Sequence, residues 1–249
     1  MTSSILSDHS HGTAGSPPPV NLSTTNLSNS FGGVTAVDTV NLAIHEGELR
    51  CLIGPNGAGK STLFKVLTGV HRPDSGRVFF QGLDVTRKAP YQRVKAGMGI
   101  KFQNPRVFHR LTVGQNLEVP VRGRTERFFP LAEEEFGWQS KLRLGAEDLS
   151  HSELQWLEIS LALACEPSLL LLDEPTAGMT PDDTHRTATF VRRLNEAGLT
   201  IIVVEHDMTF VKEIATTVTV LHQGRVFTEG TFEEVSADEN VRRIYLGQA

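Results

Sequence analysis

The segment Gly54-Pro55-Asn56-Gly57-Ala58-Gly59-Lys60-Ser61 constrains this chain more than any other. It fits G-x-x-x-x-G-K-S/T without a mismatch, after an apolar stretch at 49–53 and before a helical pattern at 61–70. The spacing has a physical reason. Glycines let successive backbone N–H groups converge on phosphate oxygens. The N-terminus of the following helix adds partial positive charge. Lys60 brings a full charge to the β- and γ-phosphates, and the Ser61 hydroxyl is placed to ligate Mg²⁺. Gly54, Asn56, Gly57, Ala58, Gly59 and Thr62 complete the expected phosphate cradle.

A chain of 249 residues is long enough to bury a core without metal or disulfide staples. Lys plus Arg is 24 and Asp plus Glu is 29, so the net charge is −5. A mildly acidic chain lacks the basic footprint of a nucleic-acid binder, and no nucleic-acid partner is expected. The two cysteines, Cys51 and Cys165, lie in apolar surroundings and read as buried small hydrophobes, which fits the cytosol. No apolar run approaches the roughly 18 residues of a membrane-spanning helix, and no secretory signal is seen.

Residues 1–20, rich in Ser, His, Gly and Pro, read as a disordered tail. From Asn21 onward the pattern is α/β. Strands are expected at 42–44, 49–53, 77–80, 169–172, 200–204, 218–222 and 226–228. Helices are expected at 61–70, 150–165, 181–197 and 241–246. Residues 104–149 differ: they carry few β-branched runs and predict short helices at 111–119 and 132–144. The continuous apolar strands call for a parallel sheet covered on both faces.

The second chemical signal is Leu169-Leu170-Leu171-Leu172-Asp173-Glu174. A buried strand delivers two carboxylates to its C-terminal end, the ligand edge of a parallel sheet. Asp173 can hold Mg²⁺ through water, and Glu174 can orient or deprotonate an attacking water. Together the two motifs imply hydrolysis of a nucleoside triphosphate.

Further segments, in order, resemble the ATP-binding subunits of ABC transporters over about residues 22–247. Gln103 looks like the glutamine that senses Mg²⁺. Leu149-Ser150-His151-Ser152-Glu153 stands where the family has Leu-Ser-Gly-Gly-Gln, which places Ser150 and Ser152 against nucleotide. Ala177-Gly178-Met179-Thr180 resembles the loop that crosses to a partner subunit. His206 is similar to the switch histidine at the γ-phosphate, and Phe31 to the aromatic that stacks on adenine.

The resemblance implies a P-loop ATPase core with a mostly parallel sheet, an N-terminal antiparallel β part and a helical subdomain at about 104–165. Its catalytic residues are then Glu174, His206 and Gln103, its metal-holding residues Ser61, Gln103 and Asp173, and its cofactors ATP and Mg²⁺. Phe31-Gly32-Gly33 and Leu111-Thr112-Val113 resemble importers of branched-chain amino acids and urea, and Gln155-Trp156-Leu157-Glu158-Ile159 and Tyr245-Leu246-Gly247 resemble the urea subunit in particular. That likeness implies a second ATPase subunit, two membrane permeases, an extracytoplasmic solute-binding protein and a peripheral place on the cytoplasmic membrane face. Residues 104–117, with Phe108, are expected to receive a permease helix.

The signature segment departs from the family. Ser150-x-x-Glu153 also reads as a capping box. A carboxylate at Glu153 is expected to compete with phosphate at the helix end and slow hydrolysis. A soluble ABC ATPase and a weakly hydrolysing regulatory subunit are the alternatives.

Overall fold

The computed structural model describes residues 18–104, 106–119 and 127–246. The reading of residues 1–17 as disordered falls outside these, but Pro18 and Pro19 belong to the fold. Their carbonyls meet His45 Nδ1 at 2.7 Å and the Glu46 N–H at 2.9 Å.

Two sheets enclose one helix. The first is antiparallel, in the order β2-β1-β4-β5, from β1 (Val20–Phe31), β2 (Val34–His45), β4 (Ser75–Phe80) and β5 (Leu83–Asp84). Its leading hairpin was largely missed by periodicity, since β1 reads as Ser, Thr and Asn between single leucines. A register shift between Thr24 and Leu27, with Asn26 at φ 47°, brings Leu22 and Leu27, five residues apart, into the same buried core. The turn is Gly32-Gly33, both with positive φ (55° and 85°), between the paired Phe31 and Val34. Two such residues match the twist of a tight hairpin at no steric cost.

The second sheet has six strands in the order β10-β9-β3-β8-β7-β6. These are β3 (Leu49–Ile53), β6 (Met98–Lys101), β7 (Leu169–Asp173), β8 (Thr200–Val204), β9 (Thr217–His222) and β10 (Arg225–Gly230). All pairings are parallel except that of β10. Every residue of β3, β7 and β8 is buried, as their unbroken apolar character requires.

Helix α1 (Lys60–Leu67) lies between the sheets, with Leu63, Phe64, Val66 and Leu67 in a core shared with Leu22, Ile44, Leu171 and Ile202. Gly69, at φ 79°, follows its end and stops it short of residue 70. The other face of the parallel sheet is covered by α5 (His151–Leu163), α6 (Pro181–Glu196) and α7 (Met208–Ile214). Helices α2 (Pro90–Lys95), α8 (Phe232–Ala237) and α9 (Glu239–Leu246) close the edges.

In the region expected to be helical, α3 is Val113–Glu118, with Thr112 as its capping residue. The single helix expected at 132–144 is broken. α4 (Phe129–Phe136) ends there, Gly137 turns left-handed (φ 66°), and a short 3₁₀ turn spans Trp138–Lys141. The break lets Phe136 stack on Trp156 (centroids 4.9 Å apart) while Trp138 donates to Ser160 Oγ at 2.9 Å. A continuous helix could not aim both rings at α5.

Candidate active site

β3 ends at Ile53, and the phosphate loop runs from there to the first residue of α1, Lys60. Two glycines of the loop are required by crowding. A Cβ on Gly54 would sit 2.2 Å from the Leu221 carbonyl oxygen, and one on Gly59 2.1 Å from that of Ala36. The loop is thus pressed between β9 and β2, with Asn56, Gly57 and Ser61 left exposed on its outer side. Ala58 is buried; its N–H donates to Pro55 and its carbonyl accepts from the Gly224 N–H at 3.0 Å. Thr62 is half-buried on the first turn of α1.

Lys60 is 8% exposed, and its ammonium donates to the Gly54 (2.5 Å) and Pro55 (3.1 Å) carbonyls. Burial lowers its pKa, opposed by Glu174, Asp173 and Glu205. Carbonyl oxygens hold an ammonium more weakly than phosphate oxygens do, so the group can exchange one set for the other.

Parallel pairing of β6, β7 and β8 brings their C-terminal ends to one edge beside this loop. Asp173 is 6% exposed, and burial, with Glu174 adding to it, pushes its pKa up to about 6. Glu174 follows in the left-handed region, φ 45°, with its N–H bound to the Val204 carbonyl at 2.9 Å. Its carboxylate accepts from Gln103 Nε2 at 2.7 Å, and His206 Nδ1 lies 3.7 Å from the other oxygen. Sequence placed Gln103, Glu174 and His206 in three separate segments, and the structure gathers them around one carboxylate.

Hard oxygen donors suit Mg²⁺, and the Ser61 hydroxyl, the Asp173 carboxylate and the Gln103 amide oxygen are of that kind. A cradle too tight for a Cβ at Gly54 and Gly59, with a lysine at its centre, fits a phosphate chain.

The remaining expected residues lie apart. Phe31 is exposed at the hairpin turn, edge-on to His71 at 5.1 Å. Ser150 caps α5, accepting the Glu153 N–H at 3.3 Å while Glu153 Oε2 accepts the Ser150 N–H at 2.8 Å. The capping box is therefore formed. The other Glu153 oxygen accepts from Lys141 Nζ at 2.7 Å, and the two partners, working against burial, hold the carboxylate below its ordinary pKa. Lys141 thus offsets part of the charge that the sequence reading sets against phosphate at this helix end. Ser152 donates to Asp183 at 2.7 Å and so faces α6 rather than solvent.

Three buried groups escaped the sequence reading. Glu205 is 1% exposed; it accepts from the Thr176 hydroxyl and from the His206 N–H, joining the loops after β7 and β8. Glu158 is buried in α5, and desolvation raises its pKa to about 7 against the pull of Lys101 and the N–H groups of Arg106 and Phe102. Lys101 is wholly buried at the end of β6. The signal for the first and last was available: each is a charged residue at the end of an apolar strand, one or two positions from a catalytic candidate.

A family model described as ABC transporter matches residues 37–177. The chain belongs to the ABC transporter family. The high-affinity branched-chain amino acid transport ATP-binding protein LivG of Escherichia coli is 32% identical over 250 residues, spanning 92% of this chain and 98% of its own length. An ABC transporter ATP-binding cassette crystallised in its ADP conformation is 30% identical, with a TM-score of 0.82 over 92% of this chain and 99% of that one. A bacterial ABC transporter cassette in dimeric form is 25% identical, with a TM-score of 0.75 over 85% of this chain and 98% of that one. This ABC protein is therefore an ATP-binding subunit and an ATP hydrolase, on the fold that its two sheets and their helices describe. Among its described residues no helix is long and apolar enough to cross a membrane.

Proposed function

We propose that this ABC ATPase powers an importer of branched-chain amino acids, as a peripheral subunit on the cytoplasmic membrane face. The observation that carries the catalytic half is the convergence of Gln103 and His206 on Glu174, beside the phosphate loop. Gly54–Ser61 and Thr62 hold the phosphates of ATP, and Lys60 exchanges its carbonyl partners for phosphate oxygens. Ser61, Asp173 and Gln103 hold Mg²⁺, which when bound neutralises phosphate charge. Glu174 orients the water and accepts its proton, and His206 faces the γ-phosphate. An acceptor carboxylate beside a histidine suits attack by water.

The importer assignment is supported by end-to-end alignment with LivG. Urea, toward which Gln155-Trp156-Leu157-Glu158-Ile159 and the closing Tyr245-Leu246-Gly247 lean, is the second solute to test; Gly247 lies outside the described residues. The dimeric cassette supports a pair, of two copies or of this chain with a similar companion; in this proposal the pair is head-to-tail and the Ser150 end of α5 meets the partner's ATP. Two permeases and an extracytoplasmic solute-binding protein complete the assembly. Phe108, 55% exposed beyond Gln103, and a cavity of about 260 Å³ lined by Ile100, Phe102, Arg106, Glu158 and Leu161 form the permease-facing side of this reading.

Uptake of labelled leucine and labelled urea by cells lacking this gene, complemented with the parent or with Lys60→Ala, tests the proposal. Leucine uptake restored by the parent alone is expected. Restoration of urea uptake alone reassigns the solute, and restoration by Lys60→Ala removes ATP hydrolysis from transport. Phe108→Asp is expected to abolish uptake while sparing ATP binding.

A further inference from the structure

We propose that Lys101 is a positioning residue for hydrolysis: its ammonium holds the backbone turn that carries Glu174 and thereby sets where that carboxylate stands. This rests on Glu174 as the residue that activates water. Lys101 is the last residue of β6 and lies opposite Leu172 in the parallel pairing with β7. From there its side chain reaches past the end of β7. Nζ donates to the carbonyls of Asp173 (3.2 Å) and Glu174 (3.3 Å).

The turn so held is one that needs holding. Glu174 has φ 45°, and a left-handed conformation at a residue with a side chain costs about 1 kcal/mol or more. Its N–H is anchored to Val204 on β8, and its carbonyl is anchored to Lys101 from β6. With both flanking peptide groups tied, the direction of the Cα–Cβ bond is set. Gln103, two residues beyond Lys101, takes the carboxylate itself. The end of β6 therefore grips Glu174 at its main chain and at its side chain.

A lysine is a costly way to fill this space. It is wholly buried, and among the described residues it makes no ion pair within 4 Å; its hydrogen bonds run to main-chain oxygens. Desolvation lowers its pKa to about 8, with Glu158 foremost among the carboxylates that oppose the fall. An apolar side chain of the same length would remove that burden on folding. What the lysine supplies, and an apolar chain cannot, is a set of donors within reach of the Asp173 and Glu174 carbonyls.

The test uses the purified full chain and compares the parent, Lys101→Met, Glu174→Gln and the double variant. Lys101→Met is expected to lower kcat by about tenfold or more with KM for Mg-ATP within about twofold of the parent. The kcat of the double variant is expected to equal that of Glu174→Gln, because Lys101 acts through the carboxylate already removed, and a further fall of about tenfold overturns the proposal. A kcat for Lys101→Met within about twofold of the parent overturns the proposal, as does a loss of ATP affinity that tracks the loss of kcat. Should Lys101→Met fail to fold, Lys101→Leu, which also lacks donors, is held to the same split between kcat and KM. Undiminished hydrolysis by Glu174→Gln alone overturns the assignment of Glu174 and this inference with it, whereas loss there without loss in Lys101→Met overturns this inference alone.

Discussion

Gln103 Nε2 and Glu174 Oε2 are hydrogen-bonded at 2.7 Å, which ties the loop after β6 to the turn after β7. The bond makes the reach of Glu174 depend on where the Gln103 loop sits. That loop is also anchored from α5, where Glu158 faces the N–H groups of Phe102 and Arg106 and where the Arg106 guanidinium lies 3.8 Å over the Phe102 ring. Movement of α5 relative to β6 would therefore be felt at the carboxylate.

Replacing Glu174 with Gln removes the proton acceptor but retains a side chain that Gln103 and His206 can meet. Hydrolysis is expected to fall by about 10²-fold or more with ATP affinity preserved. Phosphate release and nucleotide binding, measured on the same preparation, check this.

Thr176→Val deletes the hydroxyl that donates to Glu205 and leaves a carboxylate, 1% exposed, short of a partner. An unsatisfied buried group of this kind costs about 1–3 kcal/mol. Urea unfolding is expected to show that loss, and Thr176→Ser to recover most of it. Equal stability of the Val and Ser variants counts against the bridge between the loops after β7 and β8.

Glu158 gives a pH dependence of defined sign. Its pKa is raised to about 7, above its unfolded value, so between about 4.5 and 7 the folded protein keeps a proton that the unfolded chain has released. Stability therefore falls as pH rises through that window and levels off above it. In Glu158→Gln that contribution disappears. Unfolding free energies at pH 5 and pH 7.5 are expected to differ less in the variant than in the parent, and an unchanged difference refutes the assignment.

Glu153→Gln is expected to change hydrolysis by less than about threefold, since Lys141 already offsets the carboxylate and glutamine can keep the capping bond to the Ser150 N–H. Lys141→Ala is the more disruptive change, because it leaves a bare carboxylate at the start of α5. A rise in ATPase rate of about tenfold or more in Glu153→Gln would restore the view that the carboxylate repels phosphate.

Phe136 stacks on Trp156 and meets Phe190 edge-on at 4.7 Å, with Arg186 over both the Phe136 and Trp156 rings. Phe136→Ala is expected to cost about 3–5 kcal/mol in a core that cannot close around the space. Thermal unfolding measures it.

The sequence by itself determined the elements whose cause is local. The phosphate loop was legible because its glycines, lysine and serine act through backbone geometry within eight residues. The buried strands β3, β7 and β8 were legible because burial on both faces leaves unbroken apolar runs, and the cap at Ser150 because three residues suffice to form it. Tertiary structure alone decided the rest. The polar-looking β1 became a strand because β2 and β4 pair with it from both sides. Gly137 broke a helix so that two aromatic rings could reach α5. Above all, Lys101, Gln103, Glu174, Glu205 and His206 are spread over about a hundred residues, and only the parallel order of β6, β7 and β8 sets their strand ends side by side. Hydrogen bonds between such residues depend on which strands neighbour one another, and strand order is a property of the whole core rather than of any segment within it.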